Sequence, residues 1–155
     1  MIGPEGGDSM ERVPQDVDIA IEAVRNGASI AIAKGGRLLA SRHGHTVRPL
    51  IEVLGEIGNE SKGAAVADKV LGRAAALVIA NGSGVSAVHG VVMSVHGREA
   101  LESAGIAYSF DRLVEFIADR TGEDMCPIEQ MSLRFRDPVA FVAAIREKYQ
   151  MDLRE

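Results

Sequence analysis

Apolar residues recur along this chain with two different periods, and the change of period marks out most of its elements. From Asp16, the spacing of Val17, Ile19, Ala20, Ala23 and Val24 predicts an amphipathic helix that stops at Asn26-Gly27. Two short apolar runs follow, Ala28 to Ala33 and Arg37 to Arg42. Lys34-Gly35-Gly36 between them is a hairpin turn signal, because paired glycines accept the positive φ that a tight turn needs. The helical period returns over Val47, Leu50, Ile51, Val53, Leu54 and Ile57, with Pro49 in the first turn and Gly58-Asn59 at the end.

Ala64 to Ala80 is apolar nearly all round and rich in alanine, so it reads as one buried helix. Asn81-Gly82-Ser83-Gly84 then imposes a turn. Val85 to Met93 reads as a central strand, Gly97 to Ala104 as a short helix closed by Gly105, and Ile106 to Phe110 as another strand. Beyond these, the pattern predicts a helix over Leu113 to Asp119, a loop holding Cys126, an edge strand over Met131 to Arg136, and a last helix from Asp137-Pro138. Helices alternating with strands imply a three-layer α/β/α sandwich with a mixed sheet. Residues 1–15 lack periodicity and are expected to be a flexible leader before one domain over residues 16–150.

Composition narrows the function. The 155 residues suit a single domain, and 46% hydrophobic with 25% charged is an ordinary globular balance. No apolar run is long enough to span a bilayer, so no membrane partner is expected. A net charge of −5, with only two tyrosines and four phenylalanines, argues against nucleic acid as a partner. One cysteine cannot form an internal disulfide, which points to a reducing, cytoplasmic setting.

Four groups of residues carry candidate chemistry. Cys126 lies between Asp124 and Glu129 and next to Pro127; it is a candidate nucleophile or sulfur carrier, with Asp68 or Glu129 as proton shuttle. The ordinary alternative is a small buried core residue. Asp68, Lys69 and Arg73 interrupt the apolar run; in one helix they would lie within a turn and a half and form a polar ligand contact, a solvated helix end or a structural ion pair. Ser94 and Gly97, at a strand-to-helix turn, offer hydroxyl and backbone contacts to a ligand, with His89 and His96 nearby. His43 and His45 form a His-x-His pair, but in a glycine-containing loop that gives little reason for metal binding.

The strings VADKVLGRAAAL, VVMS and DMCPIE are similar to those of the family called domain of unknown function 1893, over about Asp16 to Arg136. The element order resembles the cytidine deaminase-like superfamily. That resemblance implies a zinc-activated water, held by a His or Cys next to a glutamate on one helix and by two cysteines on the next. Here Ala67-Asp68-Lys69 stands where His-x-Glu is expected and Ser94-Val95-His96-Gly97 where the cysteine pair is expected. No metal and no cofactor are therefore expected. The reading is a deaminase-fold protein that binds a small polar or nucleotide-like ligand through Asp68, Lys69, Arg73, Ser94 and Gly97, with Cys126 and Glu129 at the rim. The alternatives are an enzyme using Cys126 and a homo-oligomeric interaction module with no ligand site; a homo-oligomer is expected in any case.

Overall fold

The computed structural model describes residues 15–151. The expected leader lies outside the described residues except for Gln15. The elements are α1 (Asp16–Arg25), β1 (Ile30–Lys34), β2 (Arg37–Arg42), α2 (Arg48–Ile57), β3 (Ala65–Leu71), α3 (Arg73–Ala80), β4 (Ala87–Ser94), α4 (Val95–Ser103), β5 (Ala107–Val114), α5 (Pro127–Ser132) and α6 (Pro138–Lys148). The five strands form one mixed sheet in the order β2-β1-β3-β4-β5. β1 is antiparallel to β2 and β3, and β3, β4 and β5 run parallel. Parallel neighbours need crossover helices, which α3 and α4 supply.

Alternation along the strands separates two apolar layers. Ala31, Ala33 and Ala67 pack with Ala20 and Val24 of α1 on one face. Ile30, Ile32, Val66 and Val88 face the larger core with α2, α3, α4 and α6, where Phe141, Ile79 and Leu101 are fully buried. Each such side chain contributes roughly 1.5–3 kcal/mol through burial. The β1–β2 turn is tied to α1, because Asp16 accepts the N–H groups of Gly35 and Gly36 at 3.0 and 2.8 Å. Both glycines have positive φ, 65° and 82°, as the turn requires.

Three expectations are corrected. The run Ala64 to Ala80 is not one helix but β3 and α3, divided at Gly72. The first half of β3, from Ala65 to Ala67, is buried and continuously apolar, so it lacks the alternation that would distinguish it from a buried helix. The stretch expected as a helix from Leu113 instead completes β5 to Val114 and continues as a loop, closed by an isolated antiparallel bridge between Ala118 and Met125. The expected edge strand at Met131 to Arg136 is the end of α5 and the turn beyond it. Among the described residues, no helix is long and apolar enough to cross a membrane.

Candidate functional site

The strand assignment changes what surrounds Asp68. In register, it lies between Ile30 of β1 and Gly90 of β4. Strict alternation fails just beyond it: Val66 and Leu71, five residues apart, both enter the large core, as do Val88 and Met93 on the neighbouring strand. The change of phase leaves Lys69 and Val70 exposed at the strand end, with Val70 46% exposed. Asp68 is partly buried beneath them.

Asp68, Lys69 and Val70 line a cavity of about 880 Å³. Its walls are largely apolar: Ile30, Val47, Leu50, Ala75, Ile117 and Ile128. Removal from water raises the Asp68 carboxyl to about 7, against the backbone N–H groups of Val70 and Lys69, which pull it down. The Val70 N–H donates to Oδ1 at 3.2 Å. A carboxyl poised near neutrality inside an apolar cavity can accept a ligand proton or donate its own.

Cys126 and Glu129 line the same cavity, so these two sequence candidates do meet Asp68 in one place. Cys126 is the N-cap of α5 and half-buried; its N–H donates to the Ile117 carbonyl at 2.7 Å. Its side chain makes no capping bond. Glu129 is only 2% exposed. Its Oε1 accepts the Arg73 N–H at 2.7 Å and its Oε2 the Ile117 N–H at 2.8 Å. The carboxylate thus sits at the start of α3, where the helix dipole favours negative charge, and fixes the loop after β5.

Arg73, Ser94 and Gly97 lie apart from the cavity lining. Arg73 donates through Nε to the Ser132 carbonyl at 3.2 Å and through a terminal nitrogen to the Phe135 carbonyl at 2.8 Å, fastening α3 to the end of α5. Its expected i, i+4 relation to Lys69 does not exist, since Gly72 separates strand from helix. Ser94 is fully buried and caps α4 by accepting the Gly97 N–H at 3.0 Å. Gly97 is pressed against backbone: a Cβ there would stand 2.8 Å from the Leu71 carbonyl oxygen.

Two parts of the cavity were missed in the sequence. The loop holding Asp119, Arg120 and Thr121 forms one side. Asp119 accepts the Thr121 hydroxyl at 2.6 Å and the N–H groups of Thr121 and Gly122, and these bonds, the Thr121 hydroxyl first, hold its carboxyl below the usual range. Thr121-Gly122 is a turn signal, but nothing local places that turn in one cavity with Asp68. The other part is His45-Thr46. Thr46 has φ 68°, a left-handed conformation that a β-branched residue adopts only under about 1–2 kcal/mol of strain. Among the described residues, no three His, Cys, Asp or Glu side chains are grouped to hold a metal, and His43 with His45 finds no third ligand.

Comparison with known proteins supplies a family and a fold. The family described as Domain of unknown function (DUF1893), TM1506, matches residues 19–149. A solved structure of a DUF1893 family protein (TM1506) from Thermotoga maritima superimposes with a TM-score of 0.77 at 23% identity, covering 88% of this chain and 92% of that one. At that identity the likeness concerns the fold. No curated protein matches the chain.

Proposed function

The chain belongs to the DUF1893 family, and from that premise we propose that it binds a small polar or nucleotide-like ligand in the cavity above Asp68. The observation that carries this reading is the Asp68 carboxyl itself, raised to about 7 on the wall of a largely apolar cavity. Apolar walls suit the flat body of a ligand, and the Asp68 carboxyl fixes its orientation through an N–H or O–H group. Lys69 and Arg120, also on the lining, suit an anionic substituent.

The architecture is proposed to be cytidine deaminase-like, on the strength of a helix and hairpin followed by parallel strands joined by helices. The zinc chemistry of that superfamily does not fit this donor set. Asp68 is on a strand rather than a helix start, Ser94 is consumed in capping, and Gly97 has no side chain.

Titration calorimetry against bases, nucleosides and nucleotides tests the reading. Binding by at least one of them, weakened about tenfold or more by Asp68→Asn, is expected from the loss of one charge-assisted hydrogen bond. No binding across the panel, with Asp68→Asn leaving the unfolding curve unchanged, would sink it.

Because Cys126 shares the cavity, a second reading has Cys126 as nucleophile or sulfur carrier and Asp68 as proton acceptor. Glu129 is the weaker choice of shuttle, since both its oxygens already accept backbone N–H groups. Rapid alkylation of Cys126 in the folded protein supports this reading; reaction only after unfolding removes it.

A further inference from the structure

On the opposite face of the sheet, three side chains that the cavity does not use form a line. His89 of β4 is in register with Ala67, which faces α1, and with Ser109 of β5. Its imidazole is 4% exposed. Nδ1 lies 2.7 Å from the Ser109 hydroxyl, and Nε2 lies 3.2 Å from Asp111 Oδ1, an ion-pair distance outside hydrogen-bond geometry. Asp111 also faces Arg25 of α1 at 3.7 Å.

The negative carboxylate favours a proton on Nε2, the nitrogen nearer to it. That tautomer leaves Nδ1 as an acceptor, so Ser109 donates its hydroxyl proton to the ring. A serine hydrogen-bonded to an imidazole, with a carboxylate beside the other ring nitrogen, resembles the arrangement that activates a hydroxyl for nucleophilic attack. Here the two ring nitrogens exchange their usual partners, which leaves the proton path intact. Ser109 is exposed on the edge strand, open to reagents from solvent.

We propose that Ser109 is a base-activated serine that accepts acyl groups from activated esters, with His89 as the base and Asp111 as a positioning residue. Ser109 Oγ forms a bond to the acyl carbon while the bond to the ester's leaving oxygen breaks. The hydroxyl proton passes to His89 Nδ1 and from there to the departing oxygen.

The test is acetylation of the full chain by p-nitrophenyl acetate, located by peptide mass mapping and timed by release of nitrophenolate. Acetyl is expected on Ser109 and absent from it in Ser109→Ala. His89→Gln is expected to slow the reaction by about 100-fold, the scale of general-base assistance, and Asp111→Asn by less. Acetyl appearing only on other residues, or a folded His89→Gln reacting at the wild-type rate, would overturn the proposal. Should His89→Gln fail to fold, the solvent isotope effect decides: a wild-type acetylation rate unchanged in heavy water overturns the proposal equally, because base assistance moves a proton in the rate-limiting step.

Discussion

Gly72 has no side chain because Glu129 occupies the place where one would go: a Cβ on Gly72 would stand 2.4 Å from Glu129 Oε1 and 2.8 Å from Ile117 Cγ1. The same oxygen accepts the N–H of the next residue, Arg73, at 2.7 Å. The break between β3 and α3 and the position of the α5 loop are thereby fixed by one contact. Gly72→Ala is expected to lower stability by about 1–3 kcal/mol, because buried backbone and a doubly bonded carboxylate have little room to yield. Urea unfolding measures it.

Glu129→Gln is expected to destabilise by about 1–3 kcal/mol, since the amide can turn only one acceptor toward two backbone N–H groups and leaves one without a partner. Glu129→Ala removes both acceptors and is expected to cost more. Comparing the two midpoints separates the hydrogen bonds from the packing.

Asp68 makes stability depend on pH. Its carboxyl is raised from 3.8 to about 7, so between those values the folded protein holds a proton that the unfolded chain has released. The Asp68 contribution to stability is therefore greatest below pH 4, falls as pH rises through that window, and levels off above about 7. At 1.36 kcal/mol per unit, the loss is at most about 4 kcal/mol. Asp68→Asn is expected to remove this component and to be more stable than wild type at pH 8, as read from urea midpoints across pH.

Ser94→Ala is expected to lower stability by about 1 kcal/mol through loss of the α4 cap, with no direct effect on the cavity. A ligand affinity that falls in step with Asp68→Asn would show instead that the α4 turn reaches the ligand.

Cys126, half-buried on the cavity wall, is expected to react with iodoacetamide in the folded state and to be slowed by any ligand that fills the recess. Equal rates with and without a saturating ligand would separate the thiol from the binding space.

Hydrophobic periodicity by itself determined the elements whose two faces differ. α1, the β1–β2 hairpin, α2 and α6 each pair an apolar stripe or run with recognisable end signals, and local pattern suffices for these. It failed at Ala64 to Ala80, where the first half of β3 is buried and only Gly72 hinted at the division. It failed again after Val114, where the chain follows Glu129 and Cys126 rather than its own periodicity. Asp68 and Cys126 stood out as chemistry because charge and thiol are rare in their surroundings. Their convergence, by contrast, depends on the register of β3 against β1 and on a loop returning from residue 117, contacts between segments about 50 residues apart that carry no local signature. The tertiary structure also separated roles that residue type leaves open: Ser94 and Glu129 satisfy backbone groups at helix starts, whereas the Asp68 carboxyl lines the cavity and accepts the Val70 N–H of its own strand.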